Sequence, residues 1–229
     1  WTKAGFVYCS DVLEPFGKLR ENNTGVKERK KTQAFQEIAT GEKFLFSVNH
    51  FKAKSGKGSG ANADQGDGQG SYNADRVKEA KSVLANYEND RFYYGDNDIL
   101  IMGDLNDDAT DKSITEVLGA KAKINKLSPD DLYNPYIDLL KAGYGTLGYR
   151  DSWNLFDNII VSENLAKGST GSLKLIRAGK SKFYGNIFSR PYMMQREGQY
   201  RNYPLRTFVS NNFQNGFSDH LPVFIYVGK

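Results

Sequence analysis

The sequence predicts an α/β fold on three observations. An unbroken apolar run, Ile99 to Met102, stops at Gly103 and reads as a strand buried on both faces. Residues 43–50 (KFLFSVNH) alternate like a strand, with Phe44, Phe46, Val48 and His50 on one face. Residues 75–90 place Val77, Ala80, Leu84 and Tyr87 at helical spacing. A chain of 229 residues with 39% hydrophobic content can bury a substantial core, so residues 1–229 read as a single domain.

Taken in order, residues 4–13 suggest a first strand, and residues 14–33 read as a solvated loop with Lys27, Arg29, Lys30 and Lys31 clustered. Asn22-Asn23-Thr24 matches a glycosylation acceptor. After the 43–50 strand, residues 52–72 are too rich in Gly, Ser and Asp for a core and form a long surface loop. Within it, Asp64 and Asp67 offer oxygens to a hard cation such as calcium; the alternative is a flexible solvated loop. Residues 111–118 suggest a short helix closed by Gly119, and Ser128-Pro129-Asp130-Asp131 suggests a helix start. Pro135 breaks or kinks that helix and Gly143 ends it. Residues 153–162 read as a strand with Asp157 among apolar neighbours, and residues 221–227 as the closing strand.

Residues 173–208 carry eight basic residues, Glu197 as their only acid, and interleaved aromatics. That mixture suits a nucleic-acid surface; an aromatic core with solvated charges is the other reading. Net charge of +4 permits a polyanionic substrate without demanding one. Cys9 is alone, which excludes an intrachain disulfide, and no apolar run approaches a membrane span. The chain begins at Trp1 without Met, so an upstream signal peptide would not be seen.

Chemistry concentrates at strand ends. Asp104 and Asn106, two residues apart, leave the buried strand on one side while Leu105 turns inward. His50 ends its own strand, and Asp219-His220 precede the last one. Two imidazoles, three carboxylates and an amide suit metal-assisted phosphodiester hydrolysis: oxygens hold magnesium, and a carboxylate-held imidazole moves a proton. Asp157 either caps local backbone or orients a histidine. Lys52 and Lys54 follow His50 closely enough to meet a phosphate. No Gly-rich lysine loop is present, and Cys9 has no neighbouring base in sequence.

VNHFK at 48–52, GDLN at 103–106, LFDNIIVS at 155–162 and FSDHLPV at 217–223, in this order and spacing, resemble the endonuclease/exonuclease/phosphatase superfamily. DQGDGQGSYNADR at 64–76 is most similar to the secreted bacterial extracellular nucleases of that superfamily, and YPLRTF before the last motif resembles bacterial members. The resemblance implies a four-layered α/β sandwich of two mixed sheets flanked by helices. It implies His50 as the acid at the leaving group, and Asp104 and Asn106 positioning water, phosphate and metal. Asp157 would orient His220, and His220 would act as base or stabilise the phosphorane. Asp219 and Asp104 would serve a Mg2+ or Mn2+ site, and Lys52, Lys54 and Arg206 would meet substrate. The implied activity is a metal-dependent nuclease acting on DNA or RNA in an extracellular or periplasmic setting. A phosphatase or sphingomyelinase-like phosphodiesterase shares the chemistry, and an inactive binding module is the alternative of another class.

One departure stands out. Members of the superfamily carry a Gln-Glu metal motif on an early strand, well upstream of the Asn-His strand. Here Gln36-Glu37 comes soon after Lys30, Lys31, Thr32 and Gln33, without an apolar strand before it, and reads as a decoy. The expectation is therefore a C-terminal portion of the domain, incomplete at its N-terminus, completed by an upstream segment or a second chain.

Overall fold

A computed structural model describes residues 4–21, 30–94 and 98–229. The glycosylation acceptor, Lys27 and Arg29 lie outside the described residues. The strands are β1 (Leu13–Glu21), β2 (Lys31–Glu37), β3 (Lys43–His50), β4 (Asp98–Asp104), β5 (Leu132–Tyr133), β6 (Leu147–Tyr149), β7 (Ser152–Asn154), β8 (Asp157–Ser162), β9 (Lys174–Ile176), β10 (Gly185–Ile187), β11 (Phe208–Val209), β12 (Asn212–Phe213) and β13 (Val223–Gly228). Three α-helices accompany them: α1 (Asn73–Tyr94), α2 (Ile137–Lys141) and α3 (Glu163–Lys167).

Six strands form the main sheet in the order β1-β2-β3-β4-β8-β5. Only β3 and β4 run parallel, because the loop and α1 between them supply the crossover that parallel pairing requires. A second sheet, β10-β13-β9, is antiparallel throughout rather than mixed. One core lies between the main sheet and α1, where Leu45, Ile99, Ile101 and Leu105 meet Ala80, Val83 and Tyr87. The other lies between the sheets, where Phe44, Leu100, Ile159 and Val161 face Leu175 and, from β13, Val223, Ile225 and Val227. The result is the expected mixed α/β architecture of stacked sheets flanked by helices. No helix among the described residues is long and apolar enough to cross a membrane.

Four local expectations change. The first strand begins at Leu13 rather than near residue 4, since residues 10–12 form a turn. Pro15 lacks an N–H, and an edge strand tolerates that loss. The described residues of the polar stretch to residue 33 are also largely strand: β2 buries Thr32 and Gln33, and the Gln33 amide donates to the Phe16 and Ala34 carbonyls. Ser128 to Asp131 is a turn into β5, closed by Ser128 N–H donating to the Asp131 carboxylate, and the helix starts only after Pro135. The 153–162 strand is two strands broken at Leu155 and Phe156.

In α1, Ala80 and Tyr87 of the apolar stripe are buried and Leu84 packs against the same core, but the buried face is wider than its apolar residues suggest. Arg76, Glu79, Ala80, Val83, Tyr87 and Asp90 face inward, so half of the stripe is charged. Each charge has a partner: Arg76 pairs with Asp107, Asp90 with Arg20, and Glu79 accepts the Lys52 N–H. Buried charges are tolerated on such terms.

Candidate active site

The main sheet brings the strand-end residues into a row. His50 lies directly across from Asp104 in the β3–β4 register, and Asp104 directly across from Asp157 in the β4–β8 register. Because β8 runs opposite to β4, its first residue reaches the same edge as the last residues of β3 and β4. His220, from the loop entering β13, closes the row: its Nδ1 lies 2.8 Å from Asp157 Oδ2. His50 Nε2 lies 3.5 Å from Asp104 Oδ2. Thus His50, Asp104, Asp157 and His220 converge, as expected from their positions at strand ends.

Gly103 makes this edge possible. Its φ is +127°, and a Cβ there would fall 2.0 Å from the Asn49 carbonyl oxygen. The bare backbone lets β3 and β4 close up just before their reactive residues. Asn106 then takes φ 49° and folds back. Its N–H donates to Asp104 Oδ1 at 3.0 Å, and its amide donates to the Phe51 carbonyl at 3.1 Å. Asn106 therefore orients Asp104 and ties two strand ends together.

The neighbouring acids, which sequence reading passed over, brace the edge. Asp107 is fully buried and accepts from Arg76 Nε at 2.7 Å and Ser113 Oγ at 2.6 Å, with Lys54 Nζ at 3.3 Å. Asp108 accepts the Leu155 N–H at 2.6 Å, which sets the approach of the chain to Asp157. Arg76 also donates to the Ser71 and Gln69 carbonyls, so it staples the 52–72 loop beside the site. The only sequence signal for these roles was the acidic run after GDLN.

The remaining candidates sit as follows. Lys54 is committed to Asp111 at 2.7 Å and to Asp107, so it supports the loop. Lys52 Nζ lies 4.4 Å over the Tyr72 ring. Arg206, half-exposed, lies 3.7 Å from Asp219. Asp219 points outward and stays outside the group that comes close enough to share a metal; among the described residues that group is Asp104, Asp157 and His220, within 4.8 Å of one another. In the 55–72 loop, Asp64 accepts the Gly66 N–H, and Asp67 accepts from Gln69 N–H and Lys112 Nζ, so both carboxylates have protein partners. Glu37 lies at the opposite end of the sheet: β2 is antiparallel to β3, and Gln36 pairs with Lys43 while Lys31 pairs with Val48. Its carboxylate caps a turn at Ala39 and Thr40. The decoy reading of Gln36-Glu37 agrees with that placement.

Electrostatics separate the two central groups. Burial, then the Asp157 charge, pushes the Asp104 carboxyl up to about 6. Burial works to lower His220, but the Asp157 hydrogen bond and charge, with Asp104 and Asp219, outweigh it and raise the imidazole to about 9. At neutral pH the row therefore holds an imidazolium beside two closely spaced carboxyl groups. Crowded carboxylates of this kind are relieved by a cation or a proton.

The endonuclease/exonuclease/phosphatase family profile matches residues 11–229. No curated protein sequence matches the chain. Among solved structures, a mannosyl-6-phosphatase from Bacteroides thetaiotaomicron is similar with TM-score 0.55 and 16% identity, over 97% of this chain and 69% of its own. D. rerio TDP2 complexed with single strand DNA product is similar with TM-score 0.52 and 12% identity, over 96% and 70%. The human Nocturnin catalytic domain with bound sulfate gives TM-score 0.47 and 15% identity, over 96% and 62%. The chain spans 62 to 70% of the length of these three structures, and at such identities the first two likenesses are likenesses of fold.

Proposed function

This chain belongs to the endonuclease/exonuclease/phosphatase family, and from that premise we propose that the row at this sheet edge is the site of a divalent-metal-dependent phosphodiester hydrolase acting on nucleic acid, DNA or RNA. The observation that carries the reading is the row His50, Asp104, Asp157 and His220, with Asp157 and His220 joined at 2.8 Å. The donor set fits a hard cation: Asp104 and Asp157 are carboxylates brought close together, and Asp104, raised first by burial and then by the Asp157 charge, carries a charge that an ion would help to offset. When bound there, magnesium or manganese would neutralise phosphate charge and polarise water.

The protein groups supply the rest. Asp157 holds His220 through Nδ1, which leaves Nε2 to face the phosphate. A protonated His220 donates a charge-assisted hydrogen bond to a phosphate oxygen as negative charge accumulates. Asp104, with Asn106 fixing its orientation, directs the attacking water. His50 supplies the proton to the leaving oxygen. Support for a polynucleotide comes from the exposed arginines 190, 196, 201 and 206 on the segment leading into His220. A lipid phosphodiester is the second reading, favoured by the exposed Phe208 and Phe213 of the β11–β12 hairpin.

The test is hydrolysis of supercoiled plasmid, single-stranded RNA, sphingomyelin vesicles and a phosphomonoester, each with magnesium and with EDTA. Cleavage of a polynucleotide that requires metal and is abolished in His220→Asn is the expected result. Hydrolysis of the monoester or the lipid alone, or of nothing, would overturn the proposal.

A further inference from the structure

Phe217 stands three residues before His220, so the two backbones are at most about 11 Å apart. Its ring meets that of Tyr192 edge-on at 5.5 Å. Both rings remain more than half exposed, 60% for Phe217 and 53% for Tyr192. They line a groove of about 540 Å3 together with Gln195, Asn215, Arg196 and Glu197. Two large rings held in water beside a reactive site need an occupant.

The groove is rigidly built. Phe217 N–H donates to the Leu205 carbonyl at 2.9 Å, Thr207 Oγ1 donates to the Phe217 carbonyl at 2.7 Å, and Leu205 N–H donates to the Met193 carbonyl at 2.7 Å. Gly216 packs so tightly that a Cβ would fall 2.2 Å from the Leu205 oxygen. The rings are thus presented on a fixed frame.

We infer that this groove receives an unpaired nucleobase of the substrate, one or two nucleotides from the phosphate at His220, and that the enzyme therefore prefers single-stranded nucleic acid. The inference rests on the proposed function and adds the strand state of the substrate. Tyr192 and Phe217 offer ring faces and edges against which a base stacks. Gln195 and Asn215 carry amides able to hydrogen-bond a base edge, and Arg196 is placed for the adjoining phosphate. A paired base inside a duplex has its faces and its edge already occupied, so it cannot enter. Met194 and Leu205 also line the groove, and an acyl chain would meet those apolar walls, but it would leave the amides of Gln195 and Asn215 and the charges of Arg196 and Glu197 unused, whereas a base and its phosphate can engage the amides and the cation.

Binding is measured by fluorescence anisotropy in EDTA, where hydrolysis cannot interfere. The probes are a labelled 12-mer as DNA and as RNA, the same strands with abasic sites, and the duplex. The wild-type protein should bind the intact single strand about tenfold tighter than either the abasic strand or the duplex, as one base–aromatic stack provides. In Tyr192→Leu/Phe217→Leu, which keeps apolar bulk and removes the rings, the intact and abasic strands should bind alike. Equal wild-type affinity for intact and abasic strands, or for single strand and duplex, overturns the inference without relying on any variant to fold. So does pelleting with phosphatidylcholine vesicles in place of oligonucleotide binding. Base-dependent binding without any cleavage of nucleic acid would instead defeat the proposed function and leave the groove assignment standing.

Discussion

Replacing Asp157 with Asn removes a charge and keeps the shape, so it isolates what the 2.8 Å contact does for His220. The imidazole sits at about 9 rather than its ordinary 6.5. A displacement of that size corresponds to roughly 3 kcal/mol of preference for the imidazolium in the folded protein. The folded pKa lies above the unfolded one, so this stabilisation is fully present below pH 6.5 and is lost as pH rises through 9. In Asp157→Asn the burial cost stays while the leading favourable contributions go, and His220 should titrate well below 9. Two assays in EDTA check this: an NMR titration of the His220 ring, and urea unfolding at two pH values. The variant should be less stable by about 3 kcal/mol at pH 6. The difference should shrink at pH 9.5 to about 1 kcal/mol, the ordinary worth of one hydrogen bond. A penalty of the same size at both pH values, or an imidazole still titrating near 9, would refute the reasoning.

Asp104 acts in a lower window. Its folded pKa of about 6 also lies above its ordinary 3.8, so it binds a proton on folding and its contribution to stability falls as pH rises between those values. Asp104→Asn should flatten the wild-type loss of stability across pH 4 to 6, read by urea midpoints in EDTA. Arg76→Met breaks the ion pair with the buried Asp107 carboxylate, leaving it Ser113 and Lys54, and should cost about 3 kcal/mol; limited proteolysis should then cut within residues 52–72, and a variant as stable and protease-resistant as the parent would contradict the stapling role. Glu37→Gln should leave hydrolysis within about twofold of the parent, as is usual for an exposed site remote from the chemistry; a loss of metal-dependent activity would place Glu37 in the site after all.

How far sequence reading reached depended on how local each signal was. β3 and β4 were readable because Phe44 to His50 and Ile99 to Met102 carry strand periodicity or unbroken apolarity within a few residues. Their reactive ends came with them, since His50 and Asp104 are fixed by the same strands. β2 was not readable, because Thr32 and Gln33 look like loop residues until β1 and β3 supply partners for their backbone and side chains. The charged part of α1's buried face was missed for the same reason: the partners of Arg76 and Asp90 lie 31 residues ahead and far behind, at Asp107 and Arg20. Asp157 reaches His220 as its position suggests, while Asp219, though adjacent to His220 in sequence, faces away, because adjacency says nothing about direction. Asp219 turns out toward Arg206, while Asp157 arrives from across the sheet.

The contact between His220 and Asp157 joins positions 63 residues apart, and His50 lies further back still. Closing a flexible segment of that length costs roughly 3–4 kcal/mol in chain entropy before any contact repays it. During synthesis the row cannot be complete before the segment carrying His220 has left the ribosome, however well β3 and β4 have already paired. The His220 loop docks through β13, whose partners β9 and β10 are themselves made late. A chain that lacks the segment carrying His220 therefore keeps the β3–β4 pair and His50 beside Asp104, but not the complete row.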